Sequence, residues 1–201
     1  VQDKPLVFAP GQFNMLYAFG VGECALSISG HPDQPQTLVH TIRRVGTVTT
    51  ALSQLHPGDV IGVRGPFGQG WPMPAAAGND VVFVAGGIGL APLRPAIYQV
   101  IAQREKYGRV AVLLGTRTPH DIPFLQDLHG WRSRFDMEVL VTVDSAAPGW
   151  RGDVGVVTQL IRRARFDSFH TTALVCGPEI MMNFAVKELL NAEVDPSAIY
   201  L

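Results

Sequence analysis

The sequence predicts a β-barrel followed by an α/β unit, that is, an antiparallel barrel and then a doubly wound parallel sheet. Three observations lead there. Up to about Pro74, short apolar stretches are cut by turn residues, the rhythm of a small antiparallel barrel or sandwich. Beyond it, runs apolar nearly throughout alternate with helix-period segments, as parallel strands covered on both faces require. The first of these runs ends in Gly86-Gly87-Ile88-Gly89, a glycine-rich turn placed to open a helix.

In the first half the strand runs are Phe13–Tyr17, Ala25–Ser29, Leu38–Ile42 and Val60–Val63, separated by Pro10-Gly11, Gly20-Val21-Gly22, Gly30-His31-Pro32 and Pro57-Gly58-Asp59. One helix interrupts them, from about Thr49 to Leu55. Trp71–Asn79 (WPMPAAAGN) reads as a linker rich in small residues. Parallel strands are then expected at Val81–Ala85, Val110–Leu114, Val139–Val143 and Thr172–Cys176. Between and after them, helical spacing appears in Leu93/Ile97/Val100/Ile101, Phe124/Leu125/Leu128/Trp131, Val157/Leu160/Ile161/Ala164 and Ile180/Met181/Phe184/Leu189. Ile199–Leu201 reads as a last strand. The expected domains are residues 1–74 and 75–201, the first with its opening strand curtailed and the whole a piece of a longer polypeptide.

Composition bounds the function. The chain has 201 residues, 47% of them hydrophobic and 16% charged, enough to bury a core. Sixteen Lys+Arg against 17 Asp+Glu leave a net charge of -1, so nothing favours a nucleic-acid backbone. No apolar run approaches the ~20 residues of a membrane span, and the start does not read as a signal peptide. Cys24 and Cys176 are too few for a disulfide framework or a four-thiolate metal site. No two of the six histidines stand at zinc-type spacing, and no Gly-x-Ser-x-Gly elbow supports a hydrolase. These bounds imply a cytoplasmic protein without a membrane span.

Three segments carry chemistry. In Gly86–Pro92, glycines allow a tight turn and close approach of a phosphate to backbone N–H groups, and Pro92 or Leu93 opens the helix. The spacing departs from the dinucleotide fingerprint, and Gly115-Thr116-Arg117 stands where its acidic residue is expected; the segment is either a phosphate cradle or a ligand-free turn. Cys176-Gly177-Pro178-Glu179 ends the fourth parallel strand, where ligands of such sheets sit, although a buried cysteine also packs as a small hydrophobe. Arg43-Arg44-Val45-Gly46-Thr47-Val48-Thr49 opens the first-half helix, as an anion site or as a capped helix with a solvated edge.

The order of Pro10-Gly11-Gln12-Phe13, Leu26-Ser27-Ile28-Ser29, Gly46-Thr47-Val48-Thr49, Gly65-Pro66-Phe67-Gly68, Gly86–Pro92 and Cys176-Gly177-Pro178 resembles the ferredoxin-NADP reductase-like flavoproteins. The wording of Gly11–Tyr17, His40–Arg43 and Cys176–Met182 is most similar to the gamma subunits of soluble NAD(P)-linked nickel-iron hydrogenases. The electron-transfer subunits of anaerobic sulfite reductase and of dihydroorotate dehydrogenase look related. The resemblance implies an FAD-binding barrel and an NAD(P)-binding α/β domain that together pass hydride between NAD(P)H and FAD. It implies single electrons passed on to iron-sulfur electron-transfer and catalytic subunits of a hydrogenase or reductase complex. The family's [2Fe-2S] centre would lie in a C-terminal segment beyond Ala198–Leu201. A free-standing NAD(P)H-flavin or ferredoxin reductase, and a non-catalytic scaffold with degenerate sites, are the alternatives.

Carried over by match, Leu26, Ser27 and Ile28 line the isoalloxazine, His40, Thr41, Ile42 and Arg43 follow the ribityl chain and adenine side, and Gly46, Thr47, Val48 and Thr49 take the FAD pyrophosphate. Gly87, Gly89 and Pro92 receive the dinucleotide pyrophosphate. Cys176 faces the nicotinamide near the flavin, with Gly177, Pro178 and Glu179 alongside, so Cys176 and Ser27 stand at the reacting rings. Cys24 and Ala25 occupy the place of a family arginine, for which Arg43 is expected to substitute. Arg117 stands where a 2′-phosphate would be met, which leans toward NADP.

Overall fold

In the computed structural model, which describes residues 5–201, β1 (Phe13–Ala18) pairs antiparallel with β2 (Gly22–Ser27), from Phe13↔Ser27 to Ala18↔Gly22. The helix α1 (Thr47–Ser53) follows, and β3 (Gly62–Phe67) then pairs with the other side of β1, giving the order β2-β1-β3. Period-two alternation turns Asn14, Leu16 and Ala18 of β1 inward. Leu16 and Ala18 meet Leu52 of α1 in a small core, against which Leu26, Ile42 and Val48 pack.

The expected strand at Leu38–Ile42 is reduced to one bridge, Ile28↔His40. Polar side chains take over from the backbone ladder there. Ser29 Oγ lies 2.8 Å from Thr41 Oγ1, and His40 bonds the Ser27 carbonyl at 3.0 Å. The other first-half strands and the helix appear within two or three residues of their expected places, where turn residues blur the ends.

The stretch expected as a linker is packed. Its short helix α2 (Met73–Ala76) buries Met73 and Ala76 against the second half's core. That half runs β4 (Asp80–Gly86), α3 (Leu90–Ala102), β5 (Val110–Thr116), α4 (Leu125–Arg132), β6 (Glu138–Val143), β7 (Asp153–Val154), α5 (Thr158–Ile161), β8 (Thr171–Cys176), α6 (Glu179–Asn191) and β9 (Ile199–Tyr200). Its sheet has the order β7-β6-β5-β4-β8-β9, and every pairing in it is parallel.

Alternate residues of the apolar strands go to opposite faces. Val81, Phe83 and Ala85 of β4 join Val112 and Leu114 of β5 under α3 and α4. Val82 and Val84 join Ala111, Leu113, Ala173 and Val175 under α5 and α6. This is the double burial that the unbroken apolar runs called for. The helix expected around Phe124 starts one residue later, because Phe124 is left-handed (φ 54). The two-residue β7, too short for a periodic signal, was not expected.

The chain steps from β4 outward through β5, β6 and β7, then returns to the other side of β4 as β8. The crevice outside the carboxyl ends of β4 and β8 is therefore the switch point where doubly wound sheets hold ligands. At the opposite end Asp80 is spent on structure, its two carboxylate oxygens accepting from the backbone N–H groups of Arg109 (2.6 Å) and Asp167 (2.8 Å).

Phe83 is fully buried at the centre of the larger core. Phe83→Ala is expected to lower the unfolding free energy by about 3–5 kcal/mol, measured by urea denaturation. Leu52→Ala, in the small first-half core, is expected to fall at the lower end of the about 2–5 kcal/mol range for such truncations.

Candidate functional site

The loops at the switch point touch backbone to backbone, and glycine makes this possible. A Cβ on Gly89 would run into the carbonyl of Cys176, with its carbon only 2.7 Å away. One on Gly177 would lie 3.0 Å from the N and Cα of Gly86, and one on Gly86 would lie 2.8 Å from Pro178 Cδ and Met181 Cε. Gly87 differs: open space surrounds its missing Cβ, but its φ of +55 is left-handed and favours glycine. Space is the need at Gly86, Gly89 and Gly177, backbone conformation at Gly87.

The first half brings a second wall to this junction, and a cleft of about 430 Å³ opens between them. Its first-half wall is Ala25, Leu26, Ser27, Thr41 and Arg43. The opposite wall is Gly86, Ile88, Gly89, Ala91, Pro92, Cys176, Gly177 and Pro178. The size suits a flat organic ligand, and the walls are mainly apolar with a few polar groups.

Of the residues expected from sequence, Leu26, Ser27, Thr41, Arg43, Gly89, Pro92, Cys176, Gly177 and Pro178 meet at this cleft. The others stand around it. Ile28 is core, only 1% exposed. Ile42 and Val48 pack on the small first-half core. Gly46, Thr47 and Thr49 form the start of α1, and Glu179 is exposed at the start of α6. Arg117 is on the exposed loop after β5, outside the cleft, two residues before a shallower hollow of about 240 Å³ lined by Pro119, His120, Ala147, Pro148, Gly149 and Trp150. Sequence reasoning passed over Ala25, Gly86, Ile88 and Ala91 as lining residues. Three of these lie inside the glycine-rich motif, where small size was the available signal.

His40 is a strut behind the wall. The Ser27 carbonyl can only accept, so His40 Nδ1 carries the proton of that bond, and Nε2 accepts from Asn14 Nδ2 at 3.1 Å. Burial holds the His40 pKa below its ordinary 6.5, against a smaller upward pull from the Ser27 and Leu26 backbone. The ring is thus kept neutral in the tautomer that the Asn14–His40–Ser27 chain needs. Asn14 Oδ1, on the other side of that amide, is buried without a hydrogen-bond partner among the described residues.

Electrostatically the cleft is quiet. Arg43 is the charged residue among those lining it, and Arg43 has no ion pair among the described residues. Burial pushes the Cys176 thiol up from 9.0, so it stands as a neutral, soft, polarisable group at pH 7. At α1, Thr49 Oγ1 accepts from the N–H groups of Val45 (3.1 Å) and Gly46 (3.0 Å). The first-turn amides of Thr47, Val48 and Thr49 have no partner within the helix, as at every helix start. Among the described residues no group of three His, Cys, Asp or Glu is placed to hold a metal, and no helix is long and apolar enough to cross a membrane.

Comparison with known proteins agrees with this architecture. Residues 83–187 match the family described as "Oxidoreductase NAD-binding domain". Sulfhydrogenase 2 subunit gamma of Pyrococcus furiosus is 33% identical over 211 residues, covering 99% of this chain and 73% of that protein. A probable dihydroorotate dehydrogenase B (NAD(+)) electron transfer subunit of the same organism is 32% identical, covering 95% of this chain and 69% of that protein. Among solved structures, an Amycolatopsis cytochrome P450 reductase superposes with a TM-score of 0.83 at 24% identity, over 98% of this chain and 61% of that one. A ferredoxin NADP+ reductase from Neisseria gonorrhoeae, solved with bound FAD and NADP, gives 0.76 at 20% identity, over 94% of this chain and 82% of that one. The ferredoxin reductase-like fold expected from the sequence is the fold observed.

The His40 strut has a pH signature. Because its folded pKa lies below 6.5, the unfolded chain takes up the proton first as the pH falls. Its contribution is therefore present above pH 6.5 and lost as the pH falls through 6.5 toward the folded value. The urea midpoint is expected to drop between pH 7.5 and 5.5, and His40→Gln is expected to flatten that drop.

Proposed function

The chain belongs to the oxidoreductase NAD-binding-domain family, and from that premise we propose that its interdomain cleft brings a flavin held by the first half against a nicotinamide held by the second. The protein is read as the FAD- and NAD(P)-binding subunit of a multi-subunit redox enzyme such as a soluble hydrogenase. One observation carries this. A single cleft is walled on one side by Leu26 and Ser27 and on the other by Cys176 and Gly177, at the switch point of a parallel sheet.

The residues present fit the two groups. Leu26 and Ser27 offer an apolar edge and a hydroxyl to a flat ring, with the Ser27 backbone held by His40. Arg43, unpaired among the described residues, supplies the positive charge that Cys24 and Ala25 do not, and so serves the FAD diphosphate together with the amides of Thr47, Val48 and Thr49. Gly87, Gly89 and Pro92 open α3 toward the dinucleotide pyrophosphate. Cys176 presents a neutral thiol beside the nicotinamide without competing as a nucleophile. Arg117 is assigned to a 2′-phosphate, which makes NADP(H) the preferred dinucleotide.

When bound, flavin supplies two-electron exchange with NAD(P)H and one-electron exchange with iron-sulfur partners. The protein's own work is orientation and exclusion of water, so the lack of an acid–base pair in the cleft is consistent. Iron-sulfur electron-transfer and catalytic subunits as partners, a [2Fe-2S] centre in a segment beyond Leu201, and a cytoplasmic setting belong to the same proposal. It is supported by the two relatives' descriptions as a gamma subunit and an electron transfer subunit. The two free thiols accord with a reducing compartment.

The test is an anaerobic titration of the FAD-loaded protein with NADPH and, separately, NADH, following flavin absorbance. Bleaching is expected, at lower concentration with NADPH. Arg117→Ala is expected to raise the NADPH requirement about tenfold or more, the scale of one charge-assisted phosphate contact, and to leave NADH unchanged. Protein that takes up no FAD would instead favour a scaffold with degenerate sites.

A further inference from the structure

We infer that Arg94 is a positioning residue that fixes the spacing of the two cleft walls, and so the alignment of whatever rings they hold. The inference rests on the reading of the cleft as a flavin and nicotinamide site. Arg94 projects from α3 two residues after Pro92, which lines the dinucleotide-side wall. Its Nη1 donates to the carbonyl of Ser29 at 2.8 Å, two residues after Ser27 on the opposite wall. Ser29 is fully buried and reaches Thr41, another lining residue, through its hydroxyl. One guanidinium therefore bridges the helix that carries one wall and the segment that continues the other.

The rest of that guanidinium is held with unusual completeness. Nε donates to Asp127 Oδ2 at 2.7 Å, and Tyr98 Oη donates to the other oxygen of the same carboxylate at 3.2 Å. The guanidinium carbon lies 4.4 Å from the ring centre of Phe124 and 5.0 Å from that of Tyr98. On the first-half side, His31 stacks on Tyr98 with centroids 4.7 Å apart. The arginine and Asp127 are only 18% and 23% exposed, so water does little to loosen the pair.

Phe124 adds an independent sign. Its φ of 54 is uncommon for a bulky residue. The other non-glycine residue with positive φ, Glu193, sits in the turn that ends α6, an ordinary place for that conformation. Phe124 instead starts α4 in this conformation and lays its ring over Arg94. Strain of this kind persists where surroundings over-determine it, often beside functional sites. Lysine could not replace the arginine, since only a planar fork can reach a carbonyl and a carboxylate together while lying between rings.

The test uses the full-length FAD-loaded protein and the variants Arg94→Met and Arg94→Lys. Affinities for FAD and for NADP+ are measured by fluorescence, and the rate of flavin reduction at saturating NADPH by anaerobic stopped flow. Reaction rates fall about 100-fold for a misplacement of about 1 Å. Arg94→Met is therefore expected to slow reduction about 10- to 100-fold while both affinities stay within about threefold, with Arg94→Lys intermediate. An unchanged rate, or affinities lost in step with the rate, would overturn the inference. If Arg94→Met fails to fold, Arg94→Lys is read on the same scales, and its wild-type rate would overturn it. If the unsubstituted protein takes up no flavin, the reading of the cleft fails, and calorimetry decides the clamp alone. One cooperative transition that splits into two in Arg94→Lys supports it, and one transition in both contradicts it.

Discussion

The constraint on which the structure depends is the backbone-to-backbone contact between the loops after β4 and β8. Gly89 sits against the Cys176 carbonyl and Gly177 against Gly86, at distances that leave no room for a Cβ. This contact follows from topology: β4 and β8 are parallel neighbours whose ends lie in register, Ala85 beside Cys176. Their following helices leave on opposite faces, and the gap between the two departures is the crevice. Larger residues would prise the loops apart and deform the floor of the cleft. The glycines that make room for a phosphate thus also make room for each other.

A crevice alone is half a site. The first half closes it, and does so through few but directional contacts. Arg94 bonds the Ser29 carbonyl, and Trp71 Nε1 donates to the carbonyl of Pro92 at 2.9 Å from the segment that joins the halves. Behind the first-half wall, the Asn14–His40–Ser27 chain replaces the strand pairing that the 38–42 segment does not make. Directional polar contacts of this kind fix geometry more sharply than apolar burial does, because they tolerate little change in distance or angle. The resulting cleft holds no acid–base pair, and its cysteine is kept neutral by burial. Such a site is suited to chemistry that bound cofactors perform and the protein merely aligns.

The sequence disclosed the α/β half well, because its strands are buried on both faces and so read as unbroken apolar runs with helical spacing between them. It disclosed the first half less well. There, short strands alternate around a core of few residues, and the segment at 38–42 looked like a strand because Leu38, Val39 and Ile42 are apolar, while its polar neighbours decide its pairing. The packing of Met73 and Ala76 was hidden by a composition that reads as a linker. At the site, motif residues with special backbone needs were legible: Gly89, Pro92, Cys176 and Gly177 all meet at the cleft. Arg94 was not, since an arginine on a helix looks like solvated surface until tertiary structure brings Ser29, Asp127 and Phe124 around it.

The central claim is that the two walls of one cleft align two rings, and a crystal structure of the protein with FAD and NADP+ bound tests it most directly. The account predicts flavin density against Leu26 and Ser27, with the nicotinamide entering between it and Cys176. Flavin density away from the first-half wall, or a nicotinamide lodged in the outer hollow by Trp150, would contradict it.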